Sequence, residues 1–213
     1  EEFLLSAGCS NTKALKLKMN KHVLLYPDGK VRCRWPGADE QYIEYHDSEW
    51  GVPFYEDNDM FERISLEVFQ AGLSWITILK RREGFRKAFK NFEIAKVAKF
   101  NDSHVDKLMQ NESIIRNRAK IQSTISNARL VLDLQQDGVS ISELVWSFAP
   151  KKKTVGERSF EWRATSKESD ALSKELKRLG FSFVGSTTMY ALMQATGLVN
   201  DHAPGCFRRK ELS

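Results

Sequence analysis

Apolar residues recur at helical spacing along most of the chain, and one stretch in its first half shows the pattern most clearly. Met60, Ile64, Val68 and Ala71 fall on one side of a 3.6-residue wheel, which predicts an amphipathic helix. Glu67 lies at the edge of this apolar face, one turn from Ile64 and from Ala71. A glutamate in such a position is more often a surface residue, so periodicity alone favours a structural role.

A tight loop ends this predicted helix, and a second helix follows it. Gly72 suits the exit, because glycine accepts the left-handed conformation that a tight turn requires. Ser74 is placed to cap the next helix, with Trp75 in its first turn. A lone tryptophan at the start of a helix is more often a core residue. The Lys-Arg-Arg sequence at residues 80–82 then forms a cationic cluster suited to phosphate.

The rest of the chain repeats the helical pattern, and alternation of β-branched residues is nearly absent. We therefore predict a mostly α fold, with one small hairpin turning at residues 26–30. The further predicted helices are a short helix with Tyr42, Tyr45 and His46 on one side, a continuation through Lys80–Lys90, one capped by Asp102 or Ser103 and reaching Gln110, a long one from Ile115 to Gln136, and helices at Ser140–Phe148, Ser169–Leu179 and from Ser186 or Thr187 to Ala195.

Composition adds the size and the chemical class. The 213 residues (24.5 kDa) are 41% hydrophobic and 29% charged, which is enough apolar mass for the core of one domain. Lysines at positions 13, 16, 18 and 21 predict a basic N-terminal extension at residues 1–30, ahead of one helical domain at residues 31–213. The absence of any run of 18 apolar residues predicts no membrane-spanning helix. A net charge of +5 suits a polyanion, although many basic proteins bind none. Three cysteines argue against a disulfide scaffold and for a reducing intracellular compartment.

Two Cys/His pairs near opposite ends of the 31–213 segment are candidate metal ligands. Cys33 with His46 forms one pair, and His202 with Cys206 forms an H-x3-C pair. Two thiolates and two imidazoles would make a closed tetrahedral zinc site, which is structural because no position stays open for water. Spacing alone favours the alternative, in which two buried free cysteines and two histidines are unrelated.

Aromatic residues are dense between residues 35 and 50. Trp35, Tyr42, Tyr45 and Trp50 occur within this short segment, and a hydrophobic mini-core is the simpler explanation, which we prefer for Trp50. Trp35 and Tyr45 are candidates for the walls of a pocket that takes a planar ligand, because aromatic faces bind bases and cations.

A predicted helix pair at residues 103–136 is the candidate nucleic-acid contact. Arg116, Arg118 and Lys120 lie at the start of its second helix. Backbone N–H groups at such a terminus, flanked by cations, suit a DNA phosphate. Without other information, a plain antiparallel helix pair with a solvated basic face is the more common arrangement.

Taken together, the motifs resemble the 3-methyladenine DNA glycosylase I family. The resemblance runs in order from about residue 31 to residue 207 and leaves residues 1–30 outside. The matching motifs are Cys33-Arg-Trp35, Tyr42-Ile-x-Tyr45-His46-Asp-x-Glu-Trp50-Gly-Val-Pro53, Leu66-Glu67 with Gln70-Ala-Gly-Leu-Ser-Trp75, Phe183-Val-Gly185, and Val199-Asn-Asp-His202 with Gly205-Cys206.

The resemblance implies an all-α helix-hairpin-helix glycosylase fold, with the 103–136 helix pair anchoring DNA. It implies a structural zinc ion that joins the N- and C-terminal segments through four ligands, which are Cys33, His46, His202 and Cys206. It also implies a monofunctional enzyme of base excision repair that excises 3-methyladenine and leaves an abasic site. The family lacks the catalytic aspartate of its superfamily relatives, so we assign Asp201 to support of the metal site.

The same resemblance assigns roles within the pocket and on the DNA side. Glu67 reads and holds the base as the catalytic-site carboxylate. Substrate binding falls to the aromatic residues, which are Trp35, Tyr42, Tyr45 and Trp75. The implied DNA contacts are Gly72, Leu73, which fills the vacated stack, Arg116, Arg118 and Lys120. The hairpin departs from the family pattern, because residues 111–113 lack the glycine that such turns often carry, and Ala119 stands where a small residue or glycine is usual.

Two other functions compete with this interpretation. One is a non-catalytic, zinc-stabilised module that binds DNA or a modified base. A carboxylate in an aromatic pocket favours catalysis, because a pure phosphate binder has no use for it. The other is a glycosylase of shifted scope, such as one for N3-methylguanine. We expect a monomer that acts on double-stranded DNA and releases free 3-methyladenine, with zinc as its cofactor.

Overall fold

The computed structural model of the protein describes residues 21–151 and 160–213, and helices dominate both ranges. The helices are α1 (Glu40–Ser48), α2 (Asp57–Gln70), α3 (Trp75–Leu79), α4 (Arg82–Ala88), a 3-10 turn (Lys90–Phe92), α5 (Ile94–Val97), α6 (Asp102–Met109), α7 (Arg118–Gln136), α8 (Ile141–Trp146), α9 (Lys167–Arg178), α10 (Ser186–Ala195) and α11 (Phe207–Glu211). This confirms the predicted mostly α fold. The expectations for residues 1–20, including Cys9, and for residues 152–159 of the lysine-rich loop lie outside the described residues.

A two-stranded hairpin precedes the helices, as the turn chemistry predicted. Strand β1 (Val23–Leu25) pairs antiparallel with β2 (Val31–Cys33), and Val23 lies opposite Cys33. The Tyr26 amide donates to the Lys30 carbonyl at 3.0 Å and so closes the turn. The hairpin therefore carries Cys33 into the protein interior, where its side chain is fully buried.

The hydrophobic core surrounds α2, which is apolar over most of its circumference. Met60, Phe61, Ile64 and Phe69 are completely buried, and α2 packs against α3, α7, α8 and α10. A helix that packs against neighbours on several sides buries most of its circumference. More residues of α2 therefore face inward than the single apolar face of the wheel predicted. Ala71 is exposed, because the helix ends at Gln70 and the chain turns away.

The starts of two helices differ from the sequence prediction because asparagine side chains set them. Asn101, and not Asp102 or Ser103, caps α6: its Oδ1 accepts from the His104 amide at 3.3 Å. Asn117 caps α7 by accepting from the Lys120 amide at 3.1 Å, so the helix begins at Arg118 instead of Ile115. Asparagine is among the strongest N-cap residues.

The C-terminal helices follow the prediction more closely. Ser140 caps α8 by accepting from the Glu143 amide at 3.1 Å, and α10 begins at Ser186. Helix α9 begins two residues before the predicted Ser169, because Ser166 and Ser169 form a reciprocal capping box. Within the described ranges, no helix has both the length and the apolar character needed to cross a membrane.

Candidate functional site

The predicted pocket residues converge on one cavity of about 300 Å³ between α1, α2, α3 and α10. Its lining includes Glu67 and all four predicted aromatic residues, namely Trp35, Tyr42, Tyr45 and Trp75. Trp50 lines the cavity too, and its ring also packs 4.5 Å from the His202 ring, so it serves both the core and the cavity wall.

Helix α1 and the loop before it build the aromatic wall. Asp39 caps α1 by accepting from the Tyr42 amide at 3.1 Å, which fixes the first turn. Tyr42 and Tyr45 then lie three residues apart on the same side of the helix. The Trp35 and Tyr42 ring centroids are 4.7 Å apart, and those of Tyr45 and Trp75 are 5.3 Å apart. These contacts hold the ring faces that a flat ligand would meet.

Glu67 is the acidic group of this cavity and is 4% exposed. Among the described residues, no hydrogen-bond partner satisfies its Oε2 atom or the Trp75 Nε1 atom. An unsatisfied buried polar group costs about 1–3 kcal/mol, so both atoms favour a ligand that supplies their partners. Burial raises the pKa of Glu67 to about 7, and the positive charge of Arg63 opposes this shift.

Leu73 stands at the tip of the loop between α2 and α3, next to the cavity. Leu73 is 42% exposed, so its side chain is accessible to a partner. Gly72 has a φ of +84°, the left-handed conformation predicted for the turn. Ser74 precedes α3 as predicted, but its hydroxyl bonds to the Thr77 hydroxyl at 2.8 Å and not to a backbone amide.

Lys120 supports this loop from the side of α7. Its ammonium donates to the Phe69 carbonyl at 2.9 Å and to the Ala71 carbonyl at 2.6 Å, and the residue is 7% exposed. Carbonyls at a helix C-terminus lack intrahelical partners, which is why a buried cation is tolerated here. This corrects the expectation that Lys120 contacts DNA, because its charge is already occupied by the loop.

The other predicted DNA contacts lie on the surface around the turn between α6 and α7. Arg116 is half-exposed and 3.5 Å from Glu112, and Arg118 is paired with Asp106 at 2.6 Å. Exposed ion pairs of this kind contribute little to stability, so a guanidinium group can readily exchange its carboxylate partner for another anion. Both guanidinium groups therefore remain available to phosphate, unlike the Lys120 ammonium.

The cationic cluster at residues 80–82 is largely neutralised within the fold. Lys80 pairs with Asp39 at 2.6 Å, and Arg82 forms two hydrogen bonds to Glu49. The Arg82 side chain is mostly buried in this pair. The suggestion that this cluster binds phosphate is therefore not supported for Arg82, whose role is to join α4 to α1.

The four predicted metal ligands meet in one buried cluster that joins β2, α1 and the C-terminal segment. Their ligand atoms lie within 4.8 Å of one another. Cys206 Sγ is 3.4 Å from His46 Nε2 and 3.6 Å from His202 Nδ1, and Cys33 Sγ is 3.8 Å from His202 Nδ1. Hydrogen bonds from the Cys33 thiol and from the two imidazoles lower the pKa of Cys206. Two sulfurs and two imidazoles are the ligand set of a tetrahedral structural zinc site.

Groups behind the cluster orient both imidazoles. The His46 Nδ1 atom is 2.7 Å from the Asp47 carboxylate, which leaves Nε2 facing the sulfurs. His202 Nε2 is 3.0 Å from the Trp50 carbonyl, which leaves Nδ1 for the cluster. Asp201 does not take part, contrary to expectation. Its carboxylate instead accepts hydrogen bonds from Tyr190 at 2.7 Å and from Gln194 at 2.9 Å.

Sequence reasoning missed several residues of the cavity wall, and three of them carry large polar or aromatic side chains from the C-terminal half. Trp162 and Arg163 come from the lysine-rich loop region, and Gln194 comes from α10. Trp162 is held by its Nε1–H, which donates to the Asp201 carbonyl at 3.2 Å. A loop residue without periodic neighbours gives no signal of its position, so only the folded chain reveals this contribution.

Comparison with known proteins identifies similar chains over most of the sequence. Residues 35–209 match the family described as methyladenine glycosylase. DNA-3-methyladenine glycosylase 1 of Escherichia coli (strain K12) is 49% identical over 177 residues, which are 82% of this chain and 95% of that protein. A crystal structure of 3-methyladenine DNA glycosylase I has a TM-score of 0.80 at 48% identity and covers 83% of this chain and 98% of its own. A tyrosine-to-phenylalanine variant of such an enzyme, in complex with 3-methyladenine, has a TM-score of 0.78 at 33% identity, with coverage of 84% and 97%.

Proposed function

The chain belongs to the methyladenine glycosylase family, and on this premise we propose that it excises 3-methyladenine from alkylated DNA. Water replaces the damaged base on the deoxyribose, which breaks the N-glycosidic bond and leaves an abasic site for base excision repair. The observation that carries the proposal is the buried Glu67 carboxylate, one oxygen of which has no hydrogen-bond partner among the described residues and lies in an aromatic cavity.

Recognition begins with extrusion of the base, because an enzyme cannot reach the glycosidic bond of a stacked nucleotide. The cavity offers the extruded base the rings of Trp75, Tyr45 and Trp35. Alkylation at N3 makes adenine cationic, so desolvated aromatic faces favour it over adenine by about 1–2 kcal/mol. Glu67 accepts hydrogen bonds from the exocyclic amine, and Tyr42 offers a further hydroxyl at the cavity wall.

Little acid catalysis is needed for this reaction. The alkylated base carries a positive charge while it is attached to the sugar and leaves as a neutral molecule. Positioning and cavity electrostatics therefore supply most of the rate acceleration. This agrees with the arrangement of Asp201, whose carboxylate is occupied by Tyr190 and Gln194.

The remaining partners follow from the surface around the cavity. We assign double-stranded DNA to the face that carries the Gly72–Leu73 loop, Arg116 and Arg118, with Leu73 filling the gap left by the extruded base. A zinc ion held by the Cys/His cluster would supply a structural cross-link between the two ends of the domain and no reacting ligand. The protein acts as a monomer, in a compartment that contains DNA and keeps thiols reduced.

The decisive experiment is chromatographic measurement of the free base released from methylated duplex DNA. We expect the wild-type protein to release 3-methyladenine and Trp75→Ala to release it about tenfold more slowly, because stacking on an aromatic ring contributes about 1–3 kcal/mol per base. Absence of release with intact DNA binding would favour a binding module instead. Release of 3-methylguanine at a similar rate would widen the substrate scope.

Leu73→Ala should slow excision from duplex DNA about tenfold, because the vacated stack loses an apolar side chain worth about 1.5–3 kcal/mol when buried. Excision from single-stranded methylated DNA should be unaffected, since no stack needs to be filled. Single-turnover rates on the two substrates provide the test. Leu25→Ala, at another exposed leucine in the hairpin, serves as the control, and equal losses on both substrates would contradict the role.

Lys120→Met should change the excision rate alone, whereas Arg116→Gln should change the salt dependence of DNA binding alone. The first removes the support of the Leu73 loop and should lower the excision rate about tenfold without changing the salt dependence of DNA binding. The second removes a phosphate contact and should reduce the slope of log K against log salt by about 1, with little effect on excision at saturating enzyme. A changed slope for Lys120→Met would return that residue to the DNA interface.

A further inference from the structure

Arg63 is a buried cation that the roles assigned above leave unexplained. It lies on α2 one turn before Glu67 and is 9% exposed. A buried charge is tolerated only when hydrogen bonds and opposite charges compensate its lost hydration. One Nη atom of Arg63 donates to the Tyr45 hydroxyl at 2.8 Å, and the other is 3.9 Å from the Glu49 carboxylate. The nearest compensation is thus a residue of the cavity wall.

The guanidinium also lies against two rings that line the cavity. Its Cζ atom is 5.4 Å from the Trp75 ring and 5.6 Å from the Tyr45 ring. Cation–π contacts of this kind are attractive and restrict the orientation of both rings. Arg63 therefore touches two of the cavity's aromatic residues and shares a helix with its carboxylate.

The hydrogen bond to Tyr45 has a direction that matters for recognition. A guanidinium can only donate, so the Tyr45 oxygen must accept. The described residues offer no hydrogen-bond acceptor for the hydrogen of that hydroxyl. This hydrogen is therefore free for an acceptor atom of a ligand in the cavity that Tyr45 lines.

We propose that Arg63 is a positioning residue, which orients the Tyr45 hydroxyl as a donor to a ring nitrogen of the base, while Glu67, one turn further along α2, accepts from the amine. The inference rests on the proposed excision of 3-methyladenine and concerns how that base is selected. Adenine presents an exocyclic amine and an acceptor nitrogen on one edge, whereas guanine presents two acceptors there. A donor hydroxyl with an ionised carboxylate matches the adenine edge and disfavours guanine.

The charged and titratable groups around Glu67 come from several elements. Arg63 is on its own helix, and Tyr42 and Tyr45 face it from α1. Burial, and then the charge of Glu67, raise the pKa of Tyr42 to about 12, so this tyrosine stays neutral. Glu49 acts on Arg63 rather than directly on Glu67, and the exposed Arg163 also lines the cavity. Arg63 is the charge that opposes the effect of burial on Glu67.

A double-mutant cycle tests the link to Tyr45. In single-turnover release of 3-methyladenine, Arg63→Met and Tyr45→Phe should each lower the rate about tenfold, the range expected for a charge-assisted hydrogen bond. The double variant should be no slower than the slower single variant, because both changes remove the same interaction. Losses that multiply to about a hundredfold would overturn the proposal. If Arg63→Met does not fold, Arg63→Gln, which also removes the charge, completes the same cycle with Tyr45→Phe.

Titration of Glu67 provides a readout that a purely structural role would not move. The Glu67 carboxyl signal, assigned in 13C-labelled protein with Glu67→Gln, should titrate at higher pH in Arg63→Met and near the wild-type midpoint in Arg63→Lys. The acid limb of the excision rate should shift upward with it. An unchanged midpoint in Arg63→Met overturns the electrostatic role. Failure of the wild-type protein to release 3-methyladenine would instead refute the proposed function, so the two failures are distinguishable.

Discussion

Replacement of Glu67 by glutamine should lower the rate of 3-methyladenine release about 10- to 100-fold. The change removes a charged acceptor that is buried beside the aromatic walls, and hydrogen bonds to charged groups contribute about 1.5–3 kcal/mol. The wild-type rate should also fall as the pH drops below about 7, because Glu67 becomes protonated there. Single-turnover release against pH measures both effects, and the acid limb should be absent from Glu67→Gln.

The same substitution should make the fold more stable at alkaline pH. Burial raises the pKa of Glu67 from its ordinary value of 4.5 to about 7, so the folded state holds a proton that the unfolded state has lost. The free energy of unfolding therefore decreases as pH rises from about 4.5 through 7. Glu67→Gln removes this penalty, and we expect a gain of about 1–2 kcal/mol at pH 8, less than the shift itself represents, because a buried amide also needs partners.

Denaturant unfolding at pH 5 and pH 8 would measure this gain. Glu44→Gln, at an exposed glutamate on α1, is the matched control and should change neither activity nor the pH dependence of stability. Full activity of Glu67→Gln would remove the carboxylate from the reaction. Loss of both activity and stability would mean that Glu67 has a packing role instead. Where a functional group destabilises the fold, its replacement should lower activity and raise stability, which is the pair of changes predicted for Glu67→Gln.

Removal of the proposed zinc ion should lower the free energy of unfolding by at least about 4 kcal/mol, the value for a ligand present at a thousand times its dissociation constant. The expected fall in melting temperature is about 10 °C for a domain of this size. The cluster joins β2, α1 and the C-terminal segment, so loss of a metal removes a cross-link among three elements that are distant in sequence. Chelator titration in mild denaturant, followed by calorimetry, measures the effect.

Controls separate a metal effect from a general loss of thiols. Cys206→Ser should bind no metal and be as unstable as the chelated wild-type protein, whereas Cys9→Ser should retain one zinc ion and full stability. Cobalt(II) in place of zinc should give the absorption bands of a tetrahedral site with two thiolates. Stability that does not respond to the chelator, with no metal in the purified protein, would contradict the zinc assignment.

The helices were predictable from the sequence where local signals control them. The helix predicted from Ser140 begins at Ile141, because the Ser140 side chain caps α8 by a short-range hydrogen bond to the Glu143 amide. Helix α10 begins at Ser186 as predicted, without a side-chain cap. The start of α6 was misjudged because Asn101 competes with Asp102 and Ser103 for the cap position. The start of α7 was placed at Ile115 by apolar periodicity, whereas the Asn117 cap delays it to Arg118. Such competition is settled by a few tenths of a kcal/mol to about 1 kcal/mol, which a sequence pattern does not resolve.

The sequence by itself identified the residues that meet in the cavity and in the Cys/His cluster. The order of the motifs identified the Cys/His set, Glu67 and the aromatic residues of the cavity, because chemistry of this kind depends on residue type. The tertiary structure alone decided what each charge does. Lys120 supports a loop, Asp201 binds Tyr190 and Gln194, and Arg63 bonds to Tyr45. The physical reason is that the role of a charge depends on its burial and its partners, which come from segments distant in sequence.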